Sequence, residues 1–392
     1  MALSFFEEAI ASLPLLLWDT AFPPEQLSYN RPYRNAGDLL VKQSPVVRNA
    51  LRLCGCDASI VNGEASDYEC FSALCAAAPL LIGNRALVAV EGLLKRVFEW
   101  EAPLSPYEAE ALWDAFNAII EDKQLRPSHI LEAWGVESLC YRVPALASPF
   151  TVSLPGVDLY PIFNLSDPLS VLAALPASCE TMEEAFFTLS ARLDTLLSQG
   201  CVSVRMTLPK SYQFFRNSRK KEVDRLLLRL KTGESLAAEE ENQLLTSLLI
   251  AMAHRIKETN LPLLLETETE ETALIQLYDY LALNQIVPET LLITERPKAY
   301  KVFFGRHTDR TEKGLPSLMP VSEDISALIR DFPIGTAILP CHDACDIVSL
   351  AEGYHGRSSL TKLLEELDSD PETLMSLAED VAYGNVKNRF SI

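Results

Sequence analysis

Apolar runs a few residues long recur along this chain, and each is closed by a polar or acidic residue. The clearest lie at 15–19 (LLLWD), 138–144 (SLCYRVP), 158–163 (DLYPIF), 201–206 (CVSVRM), 262–266 (PLLLE), 290–294 (TLLIT) and 336–340 (TAILP), with SLMPV at 317–321 as a candidate eighth. Short apolar segments bounded by breakers predict buried strands. The stretches between them carry helical spacing. Thr181 and Glu184 form a capping-box start to FFTLSARLDTLL, and Gly200 ends that helix just before the run beginning at Cys201. Strand and helix in alternation predict a parallel sheet with helices outside it. At this length the pattern suits an α/β fold of the (β/α)8 TIM-barrel type, with a doubly wound open sheet as the alternative.

Two connections are too long for a simple alternation. Residues 25–137 carry helical patterns near 46–54, 67–78, 85–99, 106–120 and 128–134, and Pro106 is expected in the first turn of its helix. They predict a helical subdomain inserted after strand 1, so that 1–24 and 138–392 form the barrel and 25–137 the insertion. Residues 217–258 predict further helices between strands 4 and 5. The basic run SRKKEVDR begins that second block and reads either as a solvated helix face or as a phosphate contact.

Composition narrows the partners. In 392 residues, 34 Lys and Arg face 54 Asp and Glu, for a formal charge of −20. Such a surface repels nucleic acid and anionic membranes, so neither is expected as a partner. The opening MALSFFEEAIASLPLLLW has no basic lead and carries Glu7 and Glu8 within its apolar segment, so it does not read as a signal peptide. Nine scattered cysteines fit reduced thiols, and the expected location is the cytoplasm.

Barrel chemistry sits at the C-terminal ends of the strands. Those positions hold Asp19, Arg142, Asn164, Arg205, Glu266, Glu295, Arg296 and the cluster Cys341, His342 and Asp343. Arginines and acids at one mouth suit a small polyhydroxy acid, with arginine forking onto its carboxylate; the plain alternative is that strand ends meet water. Among the five histidines, His129 and His254 fall on expected helices and His307 and His355 in expected loops, which leaves His342 near a strand end. No H-x-H or HExxH zinc pattern, no phosphate loop and no dinucleotide fingerprint occurs. Cys341 and His342 are adjacent on an extended chain and face apart, which weakens a nucleophilic pair.

Short landmarks in order resemble the uronate isomerases, barrel members of the amidohydrolase superfamily: PLLLWDTAFPPEQL, GEASDYECF, LSPYEAEALWDAFN, RLDTLLSQGC, LKTGESL, VPETLLITERP and the terminal GNVKNRFSI. The resemblance implies interconversion of an aldose hexuronate such as glucuronate with its ketose, helped by a divalent metal. At the metal positions this chain departs from the family. The H-x-H of strand 1 is matched by Asp19 and Ala21, the Asp-His pair of strand 4 by Arg205 and Met206, and the strand-5 histidine by Glu266 or Leu265. The strand-8 aspartate, arginine and serine are matched by Asp343, Cys345 and Ser349, and the family's tryptophan-rich segment near strand 7 is missing. The resemblance therefore implies an isomerase-like protein of carbohydrate metabolism with lost or altered activity. Asp343 and His342 would move protons, while Arg205 and Arg296 would hold a sugar acid. Asp19, Glu266 and Asp343 could offer Mg²⁺, Mn²⁺ or Ca²⁺ an all-oxygen site, or the acids could pair with the arginines instead. No cofactor is the favoured expectation. The alternative is a non-catalytic barrel that binds a sugar acid or a protein partner, itself included as a homo-oligomer.

Overall fold

The computed structural model describes the chain except for residues 1–4, 149–151, 217–218, 312–313, 323–327, 329–330, 334, 336, 340–343 and 368. Seven strands are present among the described residues: β1 (Leu15–Thr20), β2 (Val136–Pro144), β3 (Asp158–Leu165), β4 (Ser203–Leu208), β5 (Leu263–Thr267), β6 (Thr290–Ile293) and β7 (Leu318–Val321). They follow chain order in the sheet. The pairings of β1 with β2 and of β3 through β7 are parallel.

Eight strands are expected from the sequence, and seven are found among the described residues. SLMPV supplies β7, whereas Ala337, Ile338 and Leu339 of TAILP form no strand and the remainder of that segment lies outside the described residues. The reason is visible in the backbone bonds. Asn385 Nδ2 donates to the carbonyls of Gly335 at 3.1 Å and Ala337 at 2.8 Å, and the Leu339 N–H donates to Val381 O at 3.3 Å. The C-terminal segment thus satisfies polar groups that a strand would satisfy through a ladder.

Two compact units comprise 1–141, 151–159 and 341–362, and then 142–150, 160–340 and 363–392. This division differs from the expected 1–24 with 138–392 against 25–137, because β1 groups with the helical stretch that follows it. In the first unit, Arg357 donates to the carbonyls of Leu13 at 2.7 Å and Pro14 at 2.6 Å, and the Ala21 N–H donates to Ala344 O at 2.9 Å. Those bonds tie both ends of β1 to residues 341–362. Between β1 and β2 lie helices that include Pro45–Leu53, Asp67–Ala77, Arg85–Phe98, Ala109–Lys123 and Pro127–Ala133. Pro106 precedes its helix rather than standing in the first turn, which begins at Ala109.

In the second unit the capping box reads as expected. Thr181 Oγ1 accepts from the Glu184 N–H at 3.2 Å, and Glu184 Oε2 accepts from the Thr181 N–H at 3.0 Å. Gly200, at φ 87°, provides the left-handed step that turns the helix into the segment before β4. Helices Lys220–Lys231 and Ala238–Thr259 fill the connection from β4 to β5. The basic run is a solvated face there: Lys220 pairs with Glu183 at 2.5 Å while Val223, Leu226 and Leu227 are buried. His307 ends helix Lys301–His307 and His355 lies within Leu350–Glu366, so both are helical rather than in loops. The eight cysteines among the described residues are free thiols. No single described helix is long and apolar enough to cross a membrane.

Candidate functional site

In the second unit, parallel register brings the ends of β3, β4 and β5 together. Asn164 stands beside Arg205, and Thr207 stands beside Glu266. Arg205 and Thr207 are two apart on β4 and share one face of the sheet. Arg205 is only 2% exposed, which is costly for a guanidinium unless it is paired. Its Nη2 donates to Glu266 Oε2 at 2.6 Å and its Nε to Ser166 Oγ at 3.3 Å. Thr207 Oγ1 donates to the same Glu266 oxygen at 3.0 Å, and Ser166 Oγ donates to Asn164 Oδ1 at 2.5 Å. The result is a continuous polar chain from Asn164 through Ser166 and Arg205 to Glu266 and Thr207.

A second group sits after β5 and β6. Glu268 Oε2 accepts from Arg296 Nε at 2.6 Å, and its Oε1 accepts from Thr294 Oγ1 at 2.9 Å and from the Glu295 N–H at 2.7 Å. Arg296 Nη2 also donates to the Glu268 carbonyl at 2.6 Å. Burial pushes the Glu268 carboxyl up, but the bonds from Arg296, Glu295 and Thr294 outweigh it and hold the group below the usual range. The same carboxylate raises Arg296. Tyr300 closes the group by donating its hydroxyl to Thr269 O at 2.7 Å.

Of the residues singled out from the sequence, the structure brings Arg205 and Glu266 into direct contact and seats Arg296 on Glu268. Asp19 belongs to the first unit and is fully buried on β1. A register shift between Leu17 and Thr20 interrupts the alternation from which an inward direction for Asp19 is expected. Arg142 lies on β2. Cys341, His342 and Asp343 lie outside the described residues. Sequence reasoning missed Thr207 and Glu268. Both stand two residues from a named position, and strand alternation carries the signal that could have found them.

It also missed Asp346, in the first unit. Ser349 N–H donates to Asp346 Oδ1 at 2.9 Å, while Ser44 Oγ donates to Oδ2 at 2.9 Å. The D-x-x-S spacing is the sequence signal for such a local cap. Burial pushes the Asp346 carboxyl up, against the bonds from Ser349, Ser44, Val348 and Cys345. A carboxyl raised by folding favours its protonated form in the native state. Its stabilising contribution is therefore fully present below the unfolded carboxyl's pKa and is lost as pH rises through the raised value. Asp346→Asn keeps the shape and an acceptor for Ser349, so it is expected to flatten that part of the stability curve. Thermal melts of both proteins between about pH 4 and 8 check this; parallel curves would contradict it.

The fit of a divalent metal can be tested on the donors present. Glu266 Oε2 is already bonded to a guanidinium and a hydroxyl, and an arginine at that distance opposes a cation. Among the described residues, no group of three or more His, Cys, Asp or Glu side chains is placed to hold a metal. The described donor set does not fit the metal that the resemblance implies.

Residues 1–143 match the family model for glucuronate isomerase. A uronate isomerase of Pectobacterium atrosepticum is 25% identical over 264 residues, covering 62% of this chain and 56% of the relative, so the chain spans little more than half of that protein. A uronate isomerase of Caldanaerobacter subterraneus is 21% identical across 94% of this chain and 92% of its own. Two crystal structures share the fold. Uronate isomerase from Thermotoga maritima superposes with a TM-score of 0.80 at 14% identity, covering 98% of this chain and 96% of that one. Glucuronate isomerase from Caulobacter crescentus gives 0.77 at 14% identity, covering 98% and 93%. The α/β fold with its parallel seven-stranded sheet is thus that of uronate isomerase structures, and by family model and relatives the chain is similar to the uronate isomerases in sequence as well.

Proposed function

We propose that the chain is a uronate isomerase-like protein that binds a small sugar acid in the cytoplasm, with the (β/α)8 arrangement of the sequence expectation. On this reading it has lost or altered the aldose-ketose isomerisation of hexuronates such as glucuronate. One observation carries the reading: Glu266, which the resemblance sets, with Leu265 as the alternative, at the family's strand-5 histidine, is bonded to Arg205 at 2.6 Å and to Thr207 at 3.0 Å. Isomerisation moves hydrogen between adjacent carbons while charge grows on the sugar oxygens, and a metal stabilises that charge by several kcal/mol. A carboxylate committed to a buried guanidinium does not replace it. Binding is the chemistry that remains. Arg296 is 48% exposed and its Nη1 takes no part in the bonds to Glu268, which leaves donors for a carboxylate.

The test has two arms. Glucuronate and galacturonate are expected to raise the melting temperature with concentration, by the equivalent of about 2.7 kcal/mol at a hundredfold excess over Kd. Arg296→Ala is expected to remove the shift. Turnover of either uronate is expected to be absent with added Mg²⁺, Mn²⁺, Ca²⁺ or Zn²⁺. Turnover that Asp343→Asn abolishes would restore a working isomerase, and a melting temperature unmoved by any sugar acid would overturn the binding role.

A further inference from the structure

The first unit contains a cavity of about 500 Å³, within the size range of small-ligand sites. Its lining includes Trp100, Trp134, Glu91, Lys95, Glu101 and Ser358, with apolar side chains between them. None of these residues belongs to the Arg205 and Arg296 groups.

Local structure explains why Trp100 is there. Helix Arg85–Phe98 ends on Glu99 in the left-handed region, at φ 55°, a conformation that costs a residue bearing a side chain. The reversal lets the Trp100 N–H return to Leu94 O at 3.1 Å, and the indole packs edge-on against Phe116 with centroids 5.8 Å apart. Trp100 Nε1, however, is buried with no hydrogen-bond acceptor among the described residues. Buried donors are almost always satisfied, so a turn of the indole edge toward the cavity, where an acceptor can enter, would be favoured. Trp134 supplies a second aromatic wall, with the Arg96 guanidinium 5.8 Å from its ring.

We propose that this cavity binds a neutral pyranose. Aromatic walls accept the C–H face of a sugar ring, as amphipathic rings do wherever one side of a ligand is apolar. A sugar oxygen would accept from Trp100 Nε1 once the indole edge turns toward it. Glu91 and Glu101 would accept from hydroxyls, with Glu101 already held by Lys95 at 3.3 Å. Charge selects against the other small ligands. Two carboxylates against one ammonium disfavour an anion such as a uronate, and an ammonium or guanidinium group offers no lone pair to the indole N–H.

Titration of the full-length protein with methyl glucopyranoside and methyl galactopyranoside tests this, read by tryptophan fluorescence and by ligand-observed saturation transfer. Two of the chain's four tryptophans line the cavity. Saturable binding is expected to weaken about tenfold in Trp100→Phe, which keeps the ring but not the N–H, and similarly in Glu91→Gln. It is expected to be unchanged in Arg296→Ala, which separates this cavity from the sugar-acid site. Circular dichroism establishes that each variant is folded, and Glu91→Gln carries the test if Trp100→Phe is not. The proposal is overturned if neither pyranoside gives a saturable signal, if both folded variants bind as the parent does, or if glucuronate or tetramethylammonium binds there equally well.

Discussion

Glu266→Ala is expected to lower the unfolding free energy by about 3 kcal/mol, far more than loss of an ordinary surface ion pair. The cause lies in its partner. Arg205 is 2% exposed, so deleting the carboxylate takes this ion-pair partner from a guanidinium that water barely reaches. Glu266 itself is 40% exposed, which admits some water and keeps the loss toward the low end for buried pairs. Thr207 also loses the acceptor for its hydroxyl. Removing both charges is expected to cost less than removing one, because Arg205→Leu in the Glu266→Ala background also removes the buried charge that lost this partner. Urea unfolding of the single and double variants measures this as a shift of midpoint at constant slope. A loss below about 0.5 kcal/mol in the single variant would place the pair among solvent-screened contacts. It would also release Glu266 for other chemistry and remove the main support for the proposed loss of isomerisation.

A change of comparable size, without any charge, is expected from Gly37→Ala. Gly37 has an ordinary helical φ of −68°, so its backbone conformation does not require glycine. Space does. A Cβ there would lie 2.0 Å from the Asp67 carbonyl oxygen and 2.7 Å from its carbon, which are backbone atoms. Asp67 cannot easily retreat. It opens helix Asp67–Ala77 behind the Ser66–Glu69 capping box, and its side chain bonds Lys42 Nζ at 2.7 Å and Asn35 Nδ2 at 2.7 Å. Overpacking against such a fixed neighbour costs about 3 kcal/mol. Thermal and urea unfolding check the magnitude, and hydrogen exchange checks its location, with faster exchange expected in Asp67–Ala77. A Gly37→Ala protein as stable as the parent would contradict the close approach.

Much of the fold is legible in the sequence because the signals are local. Six of the seven foremost apolar runs coincide with β1 to β6, since continuous apolar residues between breakers suit strands covered on both faces. The Thr181–Glu184 box and the Gly200 stop are likewise decided within a few residues of chain. TAILP reads as strongly as those runs and yet forms no strand at Ala337–Leu339. Its backbone groups bond to Asn385 and Val381, residues far along the chain that no local pattern predicts.

The candidate site divides in the same way. That arginines and acids stand at strand ends, the amino-acid sequence determined alone, because residue identity and strand alternation suffice. Which acid meets which arginine was decided only by tertiary structure. Parallel register sets Thr207 beside Glu266 and brings Arg205 onto that carboxylate, while Arg296 takes Glu268, which the sequence reading passed over. Ion pairing depends on distances of a few ångströms between separate strands, and those distances exist only once the sheet has formed.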